Sequence, residues 1–215
     1  MPDAPRPDFD GPITLVIFDL DGVLCDWQPR RRLELLSRIS GKDPEWIQQA
    51  TFNSSFETDA EAGAYPTGEA YLAEFNRRLE FPLSREQWVA ARQAAMQPSL
   101  PMVELVRSLL GRVSVAVLTN NGALLRDTMP LLMPELYSVL GSHIHVSCDL
   151  GARKPDPAVY LRLLDRYHRR PEEALFIDDS ERNVRGAREA GLRGLRFTSA
   201  SELIEQLKTR LSGIS

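Results

Sequence analysis

The sequence predicts an α/β protein: a doubly wound parallel sheet that carries an inserted all-helical segment. Three observations predict it. Short, continuous apolar runs rich in β-branched residues recur along the chain, as strands buried on both faces of a parallel sheet require. Helix-like segments alternate with the later runs, the pattern of a doubly wound fold. The stretch from about Asp26 to Gln97 breaks the alternation, with no β-branched run and several segments of helical spacing.

The first strand is expected at residues 13–18, stopping at Asp19. A second, at 113–118, stops at Thr119, and a third, at 174–177, stops at Asp178. The less apolar residues 144–147 and 192–197 read as further strands of the same Rossmann-like sheet. Asp156-Pro157 starts a helix, Asp as N-cap and Pro at the first helical position, and Val159, Tyr160, Leu163, Leu164 and Tyr167 follow at helical spacing. Residues 181–190 form a helix stopped by Gly191, and 202–211 form a last amphipathic helix with Leu203, Leu207 and Leu211 on one stripe. Within the insert, 31–39, 44–50, 68–79 and 84–96 read as helices. Gln28-Pro29 and Pro98-Ser99-Leu100-Pro101 are turn-prone connections at its two ends. The expected organisation is a tail at 1–10, a core of 11–25 and 98–215, and a helical insert at 26–97.

Composition narrows the function. Of 215 residues, 43% are hydrophobic and 26% charged, which suits a globular protein. Lys and Arg number 26 against 30 Asp and Glu, a net charge of -4, so no basic field is available for a nucleic-acid backbone. Cys25 and Cys148 are too few for a disulfide scaffold and suit a reducing, cytoplasmic compartment. The Pro- and Asp-rich start is unlike a secretory signal, and no apolar run has the length of a membrane span. Oligomeric state is not readable.

The chemistry lies at the strand ends. Asp19 and Asp21, two residues apart, face the same way if extended geometry persists, and Gly22 lets the chain turn. Thr119-Asn120-Asn121 follows the second strand, Asp178-Asp179 ends the third, and Lys154 stands in a Pro-flanked turn between them. The carboxyl ends of neighbouring strands in an open α/β sheet line one crevice, so these residues are expected to meet. Four acids in one crevice raise each other's pKa unless a cation joins them. An all-oxygen donor set favours Mg²⁺, and Mg²⁺ with Lys154 and the Thr119 hydroxyl makes a receptor for a phosphoryl group. A small phosphate ester is the expected substrate.

Phe18-Asp19-Leu20-Asp21-Gly22-Val23-Leu24, Leu118-Thr119-Asn120, Arg153-Lys154-Pro155-Asp156-Pro157 and Phe176-Ile177-Asp178-Asp179-Ser180 together resemble the four motifs of the haloacid dehalogenase superfamily of phosphohydrolases, in that family's order. The insert between the first two motifs is similar to the family's small helical cap. The resemblance implies Asp19 as nucleophile, forming an aspartyl-phosphate, and Asp21 as acid and base. It implies that Thr119 and the Asn120 amide hold phosphoryl oxygens and that Lys154 neutralises nucleophile and phosphate. Mg²⁺ would sit on the Asp19 carboxylate, the Asp21 carbonyl and Asp178, with Asp179 as a ligand or as an acceptor for bound water. The second Asp of the first motif argues against dehalogenase chemistry, because an alkyl halide needs no proton on its leaving group. Phosphomutase activity and a binding or regulatory role are the alternatives. Features of the insert and Asp149-Leu150-Gly151-Ala152 resemble a branch that includes glucose-1-phosphate phosphatase and the phosphatase domain of epoxide hydrolases, which points to a sugar phosphate.

The remaining candidates have plainer readings. Trp27 packs the insert onto the core, Trp46 and Trp88 belong to the insert's own core, and Cys25 is a small buried residue. His143 and His145 alternate on a strand and are not expected to bind metal; His168 ends a helix. Arg30, Arg31 and Arg32 read as a solvated helix face, as do Arg182, Arg185 and Arg188, and Asn183 as an exposed polar helix position.

Overall fold

The computed structural model describes residues 11–211, the last three through the backbone alone. The tail expected at 1–10 lies outside the described residues, as does the side chain of Leu211.

The chain opens with β1 (Leu15–Phe18). A short strand β2 (Cys25–Trp27) then pairs antiparallel with β3 (Met96–Pro98), so the chain leaves for the helical segment and returns from it along one ribbon. Between them run α1 (Pro29–Ser40), α2 (Pro44–Ile47), α3 (Ser55–Glu61), α4 (Gly68–Leu79) and α5 (Arg85–Ala95). Next come α6 (Leu100–Leu109), β4 (Ser114–Thr119), α7 (Ala123–Leu132), α8 (Pro134–Leu140) and β5 (Ile144–Val146). The chain continues through α9 (Pro157–Tyr167), β6 (Ala174–Asp178), α10 (Glu181–Glu189), β7 (Arg193–Arg196) and α11 (Ala200–Leu211).

The main sheet has the order β5-β4-β1-β6-β7 with every neighbouring pair parallel. β1 lies in the middle, paired with β4 on one side and β6 on the other, so the strand order reverses at β1 and opens a crevice at its carboxyl end. Alternate residues of these strands feed two apolar layers. Val16, Phe18, Val115, Val117, Leu175 and Ile177 face one side, and Leu15, Ile17, Ala116, Leu118, Ala174 and Phe176 the other. The first layer runs without a break into Phe56, Tyr71, Phe75 and Trp88 of the insert, so sheet and insert share one apolar body. Polar contacts pin the same seam: Ser147 Oγ donates to the Glu61 carbonyl at 2.7 Å, Arg153 Nε meets Glu61 Oε2 at 2.5 Å, and Arg85 Nη2 donates to the Asp127 carbonyl at 2.9 Å.

Local chemistry accounts for the helix starts. Asp156 caps α9 by accepting from Ala158 N, as its sequence predicts, and Ser84 with Gln87 closes a capping box on α5. Elsewhere the structure departs from expectation. The helix expected at 44–50 stops at Ile47 and widens into a π-helical turn at Gln48–Phe52. The connection 98–101 is only partly a turn, since Ser99 precedes α6 and Pro101 lies in its first turn, where a missing N–H is harmless. Trp46, expected in the insert's core, is 37% exposed with Lys42 Nζ 4.6 Å from its ring centre, because the single turn of α2 buries Ile47 instead. Arg32 does not share the wet face of Arg30 and Arg31: successive helix positions point about 100° apart, and Arg32 is turned inward, 6% exposed.

Candidate active site

Adjacent parallel strands bring their ends together. Phe18 of β1 lies in register with Val117 of β4 and Ile177 of β6, so Asp19, Thr119 and Asp178 emerge side by side. Lys154, from the turn before α9, reaches between the acids with Nζ 2.7 Å from both Asp19 Oδ1 and Asp178 Oδ2. Asp178 is fully buried and also accepts from Ser180 N at 2.8 Å and from Asn183 Nδ2 at 3.1 Å to each oxygen. Asp19 Oδ1 accepts from Leu20 N at 2.7 Å, and its other oxygen has no hydrogen bond among the described residues.

This burial is electrostatically costly. Burial, and after it the Asp178 and Asp21 charges, push the Asp19 carboxyl far above the usual range against the pull of Lys154. Burial and Asp178 likewise raise Asp179. Burial works against the Lys154 ammonium, yet the Asp19 and Asp178 carboxylates hold it above its ordinary value. One carboxylate oxygen each of Asp19, Asp178 and Asp179 lies within 4.8 Å of the others. Three oxygen donors, no soft ligand and an excess of negative charge fit a hard divalent cation.

Two glycines permit the geometry. Gly22 has φ 86°, and a Cβ there would stand 2.5 Å from Asp179 Oδ2, so the loop after β1 can pass Asp179 only without a side chain. A Cβ on Gly186 would stand 2.2 Å from the Pro155 carbonyl oxygen, so α10 lies directly on the turn that carries Lys154. Asn120, the residue after β4, fastens the same turn: its Nδ2 donates to the Lys154 carbonyl at 2.9 Å, and Lys154 N donates to its Oδ1 at 2.8 Å.

Asp21 sits differently from the extended-strand expectation. The strand ends at Phe18, and the Asp21 carboxylate faces the insert, where Arg92 Nη2 lies 2.5 Å from Oδ2 and Asn121 Nδ2 donates to the same oxygen at 3.5 Å. Asn121 also donates to Thr119 Oγ1 at 2.8 Å, linking the hydroxyl to Asp21. Arg92 has no sequence signal that singles it out, and Asn183, whose preferred reading is an exposed helix position over a hydrogen bond across the site, makes that hydrogen bond by holding Asp178. The spacing of Asn183, five residues beyond Asp178 and in the first turn of α10, was the available signal. Cys25 is buried, and burial followed by Asp21 pushes its thiol upward, so it offers no nucleophile. His143 Nδ1 and His145 Nε2 each lie 2.9 Å from the Tyr167 hydroxyl and take no part in the acidic cluster. Arg182, Arg185 and Arg188 are exposed as expected.

A buried lysine thus bridges two acids at the switch point of a parallel sheet, beside three carboxylates that could hold a cation. Residues 13–191 match the model of the haloacid dehalogenase-like hydrolases, and the chain belongs to that family. It is 30% identical over 189 residues to a protein named phosphatase MT3486 from Mycobacterium tuberculosis, covering 84% of this chain and 85% of that one. Among solved structures, one described as a predicted HAD-like family hydrolase from Porphyromonas gingivalis superposes with a TM-score of 0.76 at 24% identity, covering 92% and 98% of the two chains. A HAD family enzyme from Bacteroides thetaiotaomicron, solved with magnesium and inorganic phosphate, superposes with a TM-score of 0.71 at 21% identity, covering 86% and 94%. No helix among the described residues is long and apolar enough to cross a membrane.

Proposed function

We propose that this chain is a Mg²⁺-dependent phosphatase that hydrolyses a small phosphate monoester through an aspartyl-phosphate on Asp19. The observation that carries the reading is the buried bridge from Lys154 to Asp19 and Asp178 at 2.7 Å each, which keeps a carboxylate oriented beside a cation site. Asp19, Asp178 and the Asp21 carbonyl would hold the ion, with Asp179 alongside, and the ion would supply charge neutralisation to the phosphoryl oxygens. An Asp19 oxygen attacks phosphorus as the P–O bond to the leaving group breaks, and Asp21 gives its proton to the departing oxygen. Asp21 then takes a proton from water, whose oxygen attacks the aspartyl-phosphate and frees Asp19 and inorganic phosphate. Thr119 and the Asn120 amide hold phosphoryl oxygens, and Lys154 balances the negative charge on both partners.

The insert, residues 26–97, acts as the cap over this centre, and the core is 11–25 with 98–215. A sugar phosphate is the first ester to test, and the two free cysteines suit the cytoplasm. The experiment is phosphate release from p-nitrophenyl phosphate and from α-glucose 1-phosphate, with Mg²⁺ or with EDTA, for the wild type and Asp19→Asn. Release that requires both the metal and Asp19 is expected. Release that survives Asp19→Asn, or an isomeric sugar phosphate in place of free phosphate, would overturn the reading.

A further inference from the structure

We propose that Arg92 of the insert is the positioning residue for Asp21: it pins one carboxylate oxygen, Oδ2, and leaves the other, Oδ1, to carry the proton to the departing oxygen. The inference rests on the phosphatase reading and concerns its leaving-group step. Arg92 Nη2 lies 2.5 Å from Asp21 Oδ2, and Asn121 Nδ2 donates to the same oxygen at 3.5 Å. Both nitrogens donate and neither accepts, so a proton on Asp21 belongs on Oδ1. Among the described residues Oδ1 meets the Cys25 thiol alone, a weak donor at 3.5 Å. The Asp21 side chain is 21% exposed and that of Arg92 4%, so an ester can reach the acid though not the guanidinium.

The contact is built into the ribbon that carries the insert. Asp21 shortly precedes β2, and Arg92 lies in the last turn of α5, shortly before β3. Cys25 pairs with Pro98 and Trp27 with Met96, so the two strands bring both residues to one place. Ser99 N donates to the Leu24 carbonyl at 3.0 Å and Gln28 N to the Ala95 carbonyl at 2.8 Å, which closes the ribbon at its two ends. The loop around Asp21 is fixed as well, since Gly22 N donates to the Cys25 carbonyl at 2.8 Å and Leu24 N to the Leu20 carbonyl at 2.9 Å. Rotation of the Asp21 side chain remains, and Arg92 arrests it. Arg92 Cζ lies 4.0 Å from the centre of the Trp27 ring, and a guanidinium stacked on an aromatic face holds its orientation. The charges balance within the protein: Arg92 faces Asp21, and Arg32 behind it is drawn to Glu57.

That arrangement serves the proposed step. As the P–O bond to the leaving group breaks, its electron pair stays on the departing oxygen, which takes the proton from Asp21 Oδ1. The O–H electron pair remains on Asp21, and the carboxylate so formed has its new charge met by Arg92 through a hydrogen bond that strengthens as the charge develops. In the second half Oδ1 takes a proton from the attacking water, and Asp21 is neutral again. An alkoxide needs the proton in order to leave, whereas p-nitrophenolate is a stable anion and does not. Loss of Arg92 should therefore be felt in proportion to the leaving group's need for a proton, a dependence that loss of packing alone would not produce.

The test compares benzyl phosphate with p-nitrophenyl phosphate, two aromatic esters of similar size that leave as an alkoxide and as a stabilised phenolate. With the full chain and Mg²⁺, kcat/KM reports the first bond cleavage, so the later role of Asp21 as base does not blur it. Arg92→Gln should lower kcat/KM for benzyl phosphate by at least about tenfold more than for p-nitrophenyl phosphate, and Arg92→Lys should restore part of the difference. Asp21→Asn should show the same selective loss, and adding Arg92→Gln to it should cost benzyl phosphate little more, because the two residues act as one unit. Should Arg92→Gln fold poorly, Trp27→Leu removes the ring beneath the guanidinium, keeps both charges and should shift the ratio in the same direction. Equal losses on the two esters, or full additivity with Asp21→Asn, would overturn the inference while phosphatase activity stands. A wild type that hydrolyses neither these esters nor α-glucose 1-phosphate would overturn the phosphatase reading and this inference with it, and the wild-type assay alone tells the two failures apart.

Discussion

Replacing Lys154 by methionine removes the charge at the centre of the site and keeps most of the volume. Lys154 is 2% exposed, and its Nζ makes two contacts of 2.7 Å, to Asp19 and Asp178. Hydrogen bonds to charged groups contribute about 1.5–3 kcal/mol each, so the pair amounts to about 3–6 kcal/mol. Without the ammonium the two carboxylates face each other in a buried space. One of them can take up a proton, which trims the loss toward the roughly 3–5 kcal/mol typical of a broken buried pair. Urea unfolding in EDTA at neutral pH should report that loss, because no cation then substitutes for the lysine. Phosphate release with Mg²⁺ should fall by at least about a hundredfold, the scale for losing one donor to developing charge. A stability change below about 1 kcal/mol, together with unchanged phosphate release, would refute the claim that Lys154 neutralises these acids.

Further outcomes follow from the same geometry. Mg²⁺ at a hundredfold excess over its Kd should stabilise the native state by about 2.7 kcal/mol in thermal melts, and Asp179→Asn should weaken that effect; an unaltered Mg²⁺ titration would show that Asp179 is not a ligand. Gly186→Ala should destabilise by about 1–3 kcal/mol in urea, since its Cβ would press on the Pro155 carbonyl oxygen from 2.2 Å; a neutral substitution would mean α10 does not bear on the Lys154 turn. His145 is pulled down from 6.5 to about 4, first by burial and then by Arg166 and His143. The unfolded chain therefore takes a proton that the native state refuses, and stability falls as pH drops through that interval. The fall is on the order of 2 kcal/mol after allowing for the ring's partial exposure, and His145→Gln should reduce it. Glu61, raised to about 7 by burial against the pull of Arg153, acts in the opposite direction, so the check is the difference between wild type and variant across the range.

The parts of the fold that were legible in the sequence are those buried on both sides. β1, β4 and β6 are continuous apolar runs because neither face meets water, and their ends are marked where polar residues begin. The helix at Gly68–Leu79 matches its expected bounds because Thr67 caps it and buried Tyr71, Phe75 and Leu79 recur every four residues. The β2–β3 ribbon was not legible, since three-residue strands have no period to detect and their partners stand about seventy positions apart. α3 escaped for a related reason: its seven residues bury only Phe56 and Ala60.

The same contrast divides the candidate site. Asp19, Thr119 and Asp178 follow directly from strand ends in register, so their meeting depends only on the sheet, and one sequence suffices to place them. Arg32, Arg92, Glu57 and Tyr71 come from four helices, and nothing in their spacing says that α1, α3, α4 and α5 turn these side chains toward one another. Three consecutive arginines look alike in sequence, yet helix rotation leaves Arg30 and Arg31 in solvent and buries Arg32. Asp21 belongs to both halves: its position is set by the loop after β1, while its carboxylate is oriented by Arg92 across the seam. On the proposed phosphatase reading, the groups that would meet the phosphoryl are therefore written in local motifs, whereas the contact that orients Asp21 from the insert arises from tertiary packing between residues seventy-one positions apart, which local spacing does not encode.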